Sequence, residues 1–407
     1  MNILFYLIVT ILVLQFIIET LLDYLNAKHF NDPIPDELND VFDVEEYQKS
    51  QAYKRTNYRF GILTSTVSLA LTLGFLFLGG FEWVDQIVRS ITEAPILMAL
   101  LFFGIIMIGN DIITLPFSYY STFVIEEKFG FNKTTPKLFF SDKVKGWLMM
   151  TVIGGGILGV IIWFFQLAGT NFWIYAWALV AIFTIFMNLF YSKLVVPLFN
   201  KQKPLEQGNL KTKIRAYAKH VGFELNNIFV IDGSKRSTKA NAYFSGFGKE
   251  KRVTLYDTLI NDLEEEEIVA VLAHEVGHYK KKHIIFNLVA SILLTGLTLF
   301  ILSLFINNPD FSYAIGVSRP SFHAALIGFG ILYSPISEIT GLIMNHLSRK
   351  FEYQADSYAK TTYAGLPLIT SLKKLSKNSL SNLTPHPAYV FMHYSHPPLI
   401  ARIRNLK

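Results

Sequence analysis

The sequence predicts a mostly α-helical, polytopic membrane protein with about seven transmembrane helices and a small cytoplasmic α/β subdomain. Three observations carry that class. Seven apolar blocks are each long enough to cross the roughly 30 Å hydrocarbon layer, which takes about 20 residues of helix. Lysine and arginine are alternately abundant and nearly absent in the successive connections between them. One polar stretch, 197–283, carries short alternating runs where the rest of the chain carries long apolar ones.

Composition agrees. Of 407 residues, 51% are hydrophobic and only 17% are charged, with the apolar residues gathered into blocks that a soluble core of this size would not require. There is no cysteine, which excludes disulfides, thiolate metal ligands and a cysteine nucleophile. The net charge of +6 sits mostly in the connections, where it meets lipid headgroups, and no basic run interleaved with aromatics suggests a nucleic-acid surface.

The blocks lie near 3–23, 60–81, 95–117, 147–168, 172–196, 284–306 and 323–345. The first lacks a positive n-region and a small-residue cleavage site, so it reads as a retained helix and not as a signal peptide. The fourth and fifth are joined only around Gly169–Thr170, which predicts a tight helical hairpin. The third carries Asn110 and Asp111 and the seventh carries Glu338. Acids inside a membrane are costly, so either these helices line a wet cavity or the acids are paired between helices.

Orientation follows from the cations. Blocks one and two are separated by Lys28, Lys49, Lys54, Arg55 and Arg59, and blocks three and four by Lys128, Lys133, Lys137, Lys143 and Lys145. Between two and three there is Arg89, between four and five none, and between six and seven Arg319. The positive-inside rule then places the N-terminus outside and both large polar segments in the cytoplasm. The expected organisation is 1–196, transmembrane helices one to five with amphipathic loops; 197–283, the strand-containing subdomain; 284–345, helices six and seven; and 346–407, a cytoplasmic C-terminal segment.

Within 197–283, "NNIFVIDGS" reads as a strand ending in a turn, and "NAYFSGFGKEKRVTLYDTL" as two strands of a hairpin joined by "GFGKEK". "NDLEEEEIVAVLAHEVGHYKKKH" reads as a helix capped by Asn261 or Asp262, with glutamates in its first turns and Lys280–Lys282 at its end, each charge matching the helix dipole. The acidic stretch 32–46 reads as a solvated loop.

That helix carries the chemistry. Positions i and i+4 share a face, so His274 and His278 can aim two imidazoles at one ion while Glu275 stands beside the open coordination position. Such an ion needs a third protein ligand and an exchangeable water. Gly277, lacking a side chain, lets a neighbouring element approach closely. His283, five residues past His278, has rotated off the ligand face. In "FEYQADSYA", Glu352 and Asp356 are again i, i+4, so one carboxylate could bind the ion while the other orients a ligand histidine; a solvated helix face would carry the same letters.

"AHEVGHYKKKH", "FEYQADSYA", "RSTKANAYFSGFGKEKRVTLYDTL", "FGFNKTTPKLFFSDKVK" and the C-terminal "YSHPPLIARI" together resemble the type I CAAX prenyl endopeptidases, integral-membrane zinc metalloproteases of the gluzincin type, over essentially the whole chain. The resemblance implies one Zn²⁺ per chain held by His274, His278 and Glu352, with Glu275 as catalytic base and Asp356 behind a ligand. It implies that Asn241, Ala242, Tyr243, Phe244, Ser245 and Gly246 form the edge on which a substrate peptide adds as a strand. His396 and Arg402 would help hold the tetrahedral oxyanion; on residues alone they read as a turn histidine before Pro397–Pro398 and a headgroup-facing arginine.

By the same resemblance the seven helices enclose a water-filled chamber, which Asp111 and Glu338 would line, and the zinc site lies near its cytoplasmic end. The implied partners are the lipid bilayer and a prenylated or membrane-associated peptide, with no nucleic acid, and the protein is expected to be a monomer. "RIRNLK" shows no ER-retrieval signal, and the Phe-, Ile-, Asn- and Lys-rich composition suits a bacterium with AT-rich DNA. The expected location is therefore a bacterial cell membrane, or the endoplasmic reticulum membrane in a eukaryote. Two other readings compete: a quality-control membrane metalloprotease of the heat-shock-induced type, which has fewer spans, and a seven-helix transporter or receptor with an incidental H-E-x-x-H.

Overall fold

The computed structural model describes residues 2–223, 225, 227–246 and 251–407. Among the described residues, six continuous helical stretches are long and apolar enough to cross a bilayer, and the longest, Pro136–Phe199 at 64 residues, doubles back at Gly169–Asn171. It therefore contains the expected fourth and fifth spans as a hairpin, with Gly169 at φ +54° where the chain reverses.

Local sequence sets most of the ends. Helix α1 (Ile3–Lys28) starts where Asn2 accepts the Phe5 N–H, and α2 (Val44–Phe77) starts at a reciprocal capping box of Asp43 and Glu46. Helix α2 thus begins well before the expected apolar block. It ends at Leu78–Gly79, where Gly79 at φ +72° turns the chain into a separate short helix, α3 (Gly80–Ile91). Prolines at the first helical position open α4 (Pro95–Tyr120) and α5 (Pro136–Met149), which suits a ring that fixes φ and lacks an N–H. Helix α4 widens into a π-helical turn at Ser121–Glu126, and α5 passes through another at Met150–Gly154 into α6 (Gly155–Ala168). After the hairpin come α7 (Phe172–Leu194) and the short α8 (Val196–Phe199).

The two polar ends of the bundle differ. At one end, hydrogen bonds join Asn26 to Asn382, Arg236 to Asp142 and Lys373 to Asp40. At the other, Arg89 reaches the Arg319 carbonyl, Glu82 accepts from Ser318, and a buried His323–Asp85 pair stands at 2.7 Å. Both cation-rich connections fall at the first end.

The polar subdomain belongs to that end. Its elements are β1 (Gln202–Pro204), α9 (Asn209–His220), β2 (Asn227–Ile231), β3 (Ala242–Ser245), β4 (Arg252–Tyr256), α10 (Asp257–Asp262) and α11 (Glu265–Lys280). The sheet order is β1-β2-β4-β3, with β2 and β4 parallel and the other pairs antiparallel. The expected hairpin is β3–β4, in register from Ala242 opposite Leu255 to Ser245 opposite Arg252; residues 247–250 of its connection lie outside the described residues. Strand β3 is an edge.

Ile214, Leu255, Leu259, Ile268 and Leu272, all fully buried, form the core between sheet and helices, each side chain contributing about 1.5–3 kcal/mol by leaving water. Helix α11 is buried along most of its length, its apolar run Ile268–Ala273 packed into this core. Two residues later α12 (His283–Phe305) departs for the membrane, turned by Lys282 at φ +62°. The short α13 (Asp310–Tyr313) precedes α14 (Phe322–Thr362), one unbroken helix of 41 residues that spans and then continues out of the apolar layer. Helices α15 (Gly365–Asn378), α16 (Pro387–His393) and α17 (Leu399–Leu406) close the chain.

Candidate metal centre

Helix α11 is set rigidly before its histidines arrive. Its N-cap is Glu264, whose backbone N–H donates to Glu267 Oε2 at 2.8 Å in a capping box. The expected caps, Asn261 and Asp262, instead end the separate helix α10, because Leu263 turns inward and takes an extended conformation between the two helices.

Helix α14 crosses α11 at Gly277. A Cβ there would meet the Ala355 Cα at 3.1 Å and its carbonyl at 3.2 Å, so the absent side chain is what lets the two backbones touch. The crossing brings Glu352 over the two imidazoles. One donor atom from each of His274, His278 and Glu352 lies within 4.8 Å of the others. The two Nε2 atoms are 3.1 Å apart, Glu352 Oε1 is 3.2 Å from His278 Nε2, and Oε2 is 3.4 Å from His274 Nε2.

Three potential lone-pair donors facing one point make a set that a cation could complete. Glu352 is 3% exposed, and its Oε2 is buried with no hydrogen-bond partner. An unsatisfied buried carboxylate oxygen is expensive, so the donor set fits a metal ion.

Each imidazole is held from behind. His274 Nδ1 stands 2.8 Å from Asp356 Oδ1, and the fully buried Asp356 accepts from Arg402 Nε at 2.9 Å and Nη2 at 2.5 Å. His278 Nδ1 stands 3.1 Å from His283 Nδ1, and His283 Nε2 is 2.9 Å from Gln354 Oε1. His283 is also stacked on Phe351 at 4.2 Å. If both Nε2 atoms present lone pairs inward, the protons follow: His274 donates to Asp356, His278 to His283, and His283 to Gln354. His283 is off the ligand face, as its spacing requires, but the spacing gave no sign of this second position. Gln354, 71 residues away, comes back on α14, a partnership that local periodicity does not register.

The centre attracts positive charge. Burial alone would push the His274 imidazole down, but the neighbouring Asp356 and Glu352 carboxylates outweigh burial and lift it to about 9, so a metal ion bound there would have to displace a proton. Burial likewise opposes the Arg402 charge, and Asp356 overcomes it, so the guanidinium is held above its ordinary value.

The other expected residues gather around this core. Glu275 is half-buried on α11 between the two histidines. His396, on the turn before α17, keeps a 64% exposed side chain with Nε2 3.3 Å from Glu352 Oε1. Arg402 commits Nε and Nη2 to Asp356 and turns Nη1 toward Glu352 Oε2 at 3.4 Å. Phe244 of β3 packs on Tyr279 of α11 with ring centroids 5.4 Å apart, which sets the edge strand beside the histidine helix. Asn241 precedes that strand and Gly246, at φ +80°, follows it. Of the two intramembrane acids, Asp111 is paired across helices with Lys143 and also lines a cavity, while Glu338 accepts from Gln15 at 2.6 Å.

The chain resembles known proteins along its whole length. A family profile described as CAAX prenyl protease N-terminal, five membrane helices, matches residues 23–201, and that of peptidase family M48 matches 204–407. The CAAX prenyl protease 1 homologue of Arabidopsis thaliana is 36% identical, over 98% of this chain and 96% of that one. CAAX prenyl protease 1 of Saccharomyces cerevisiae is 35% identical, over 96% and 92%. The crystal structure of S. mikatae Ste24p matches with a TM-score of 0.94 at 34% identity, covering 100% of this chain and 99% of that one.

Proposed function

The chain belongs to peptidase family M48, among its multi-pass membrane CAAX prenyl proteases, and from that premise we propose that it cleaves the C-terminal peptide from prenylated, CAAX-type substrates with one zinc ion held by His274, His278 and Glu352. The observation that carries the zinc reading is the donor spacing. Ligands about 2.0–2.1 Å from a tetrahedral zinc stand about 3.3–3.4 Å from one another; here the two imidazole nitrogens are 3.1 Å apart, with one Glu352 oxygen 3.2 Å from His278 Nε2 and the other 3.4 Å from His274 Nε2. Two imidazoles and a carboxylate, with no thiolate in the chain, also match the ligand set of a catalytic zinc that keeps an open position.

Bound there, the ion would supply Lewis acidity, polarising the scissile carbonyl and lowering the pKa of a water to about 7. The rest falls to the chain's own residues. Glu275 takes the proton of the attacking water and passes it to the leaving amine. Asp356 and His283 hold the Nδ1 protons of the two ligand histidines, which fixes the ring orientations. His396, exposed and close to Glu352, is the freer donor for the oxyanion; Arg402, bound at two points to Asp356, acts chiefly by holding that carboxylate and Glu352 in place. The open edge of β3, from Asn241 to Gly246, offers main-chain hydrogen bonds to an extended peptide with little demand on its sequence. The cation-rich end carries all of these groups, and the positive-inside rule puts that end, with the C-terminus, in the cytoplasm.

The whole-chain likeness, N-terminal membrane helices included, favours neither a quality-control protease nor a transporter with an incidental motif. A farnesylated CAAX peptide provides the test. Glu275→Gln lowers its cleavage by roughly 10²–10⁴-fold, the usual contribution of a general base, while metal analysis still finds one zinc per chain. Near-normal turnover in that variant removes Glu275 from the role, and parent protein that carries no stoichiometric zinc removes the ion.

A further inference from the structure

Helices α4, α5 and α6 provide most of the wall of a cavity of about 1260 Å³ that the metal centre does not use. Its wall is mainly apolar, with Leu100, Phe103, Met107, Met150 and Trp163 among the lining side chains. Glycine widens it. Gly104, Gly146 and Gly156 all line the cavity, and a Cβ added at any of them would meet nothing within 4 Å. Glycine weakens a helix, and at these positions it serves no close helix–helix approach. What it leaves is space.

One end is polar yet electrically satisfied. Lys143, the one cation among the described lining residues, donates to Asp111 at 2.6 Å, and Trp147 Nε1 donates to the second Asp111 oxygen at 2.9 Å. Asp142 is clasped through both oxygens by Arg236. A phosphate headgroup would find Lys143 already taken, whereas a neutral hydrocarbon asks nothing of that end.

The polar end is also tied to the strand. Arg236 presents its carbonyl to Lys133 N at 3.0 Å and Thr134 Oγ1 at 3.2 Å, and Asn132 bridges Ser237. From there the chain runs directly into Asn241 and the β3 edge. We propose that this cavity receives the isoprenyl chain of the substrate while the attached peptide lies along β3, an inference that rests on the CAAX reading above. The glycines then set the length of chain the cavity holds.

Filling the cavity tests this. Gly104→Phe and Gly156→Phe, in the full-length protein in bilayer nanodiscs, are compared with the parent on one peptide in farnesylated, geranylgeranylated and unprenylated forms. The expected result is a fall of at least tenfold in kcat/KM on the farnesyl peptide and more on the geranylgeranyl one. Cleavage of the unprenylated peptide stays unchanged and reports intact folding. In the parent, a farnesyl chain bearing a diazirine on its terminal isoprene labels α4 and α6, and excess phospholipid leaves that labelling in place. Three results overturn the inference: a farnesyl preference that survives both fillings, labelling confined to other helices, or labelling that phospholipid displaces, which would give the cavity to bilayer lipid. If a filled variant fails to fold, the parent labelling decides alone. Parent protein that cleaves none of the three peptides refutes the CAAX reading instead.

Discussion

His283 carries the same side chain as the two residues that face the shared donor point, yet its ring sits behind one of them, and that difference decides what its loss does. In the proposed site His274 and His278 each contribute a lone pair, so replacing either would remove a bond to the ion. Replacing His283 leaves every donor in place and frees the His278 ring to rotate, because its Nδ1 loses the acceptor at 3.1 Å. Outer partners of this kind typically cost roughly 10–100-fold in metal affinity or activity. His283→Ala is therefore expected to raise the zinc dissociation constant by roughly that factor, measured by competition with a chromophoric chelator, with saturating zinc restoring much of the turnover. A glutamine at position 283, whose amide oxygen can still accept from His278, should keep more affinity than alanine; equal losses would remove the positioning role. At this scale the sequence shows the H-E-x-x-H ligands plainly, because their spacing is local. It shows the Glu352–Asp356 pair as a helix face, and says nothing of Gln354 behind His283, since that contact exists only after two helices have packed.

Packing of elements is where a single missing methyl matters. Alanine has the better helix propensity by about 1 kcal/mol, so on local grounds Gly277→Ala ought to stabilise α11. The crossing predicts the opposite. The new Cβ would press on Ala355 backbone atoms at 3.1 and 3.2 Å, which cannot swing aside as a side chain can, so α14 must shift and carry Glu352 with it. Gly277→Ala should lower zinc retention and peptidase turnover at least tenfold, and Gly277→Val more; an alanine variant with full activity and a higher melting point would show that the helices have room to spare. The turn between α11 and α12 has its own signature. Lys282 sits at φ +62°, a conformation that costs a residue with a Cβ about 1–2 kcal/mol. Lys282→Gly is expected to hold or raise the thermal midpoint and Lys282→Val to lower it, as read by thermal denaturation in one fixed detergent. The spans themselves were legible because the bilayer dictates length and polarity. The early start of α2 was not, since a polar helix carries no apolar run to reveal it, and the continuity of α14 from its span into the Glu352–Asp356 face has no local signature either.

Across the whole molecule, the metal site and the buried pair at the far end hold different things together, and their losses should be separable. In the proposed site an ion shared by α11 and α14, with α12 braced through His283 and α17 through Arg402, would join segments distant in sequence. A ligand that binds only the folded state stabilises it by an amount set by its saturation, about 4 kcal/mol at a thousandfold excess over its dissociation constant. Chelation should therefore lower the thermal midpoint, zinc should restore it, and Glu352→Gln should start low and respond to neither. At the opposite end, Asp85 lies between His323 at 2.7 Å and Arg89 at 2.6 Å, and removing its charge leaves the Arg89 guanidinium without its carboxylate. Breaking such a buried pair commonly costs about 3–5 kcal/mol, so Asp85→Asn should also lower the midpoint. That variant must still gain stability from zinc and bind it with parental affinity, because nothing at the far end touches the three ligands. If Asp85→Asn abolished the zinc response, the two ends would be coupled through the bundle, and α14, which carries both His323 and Glu352, would be the element transmitting the strain.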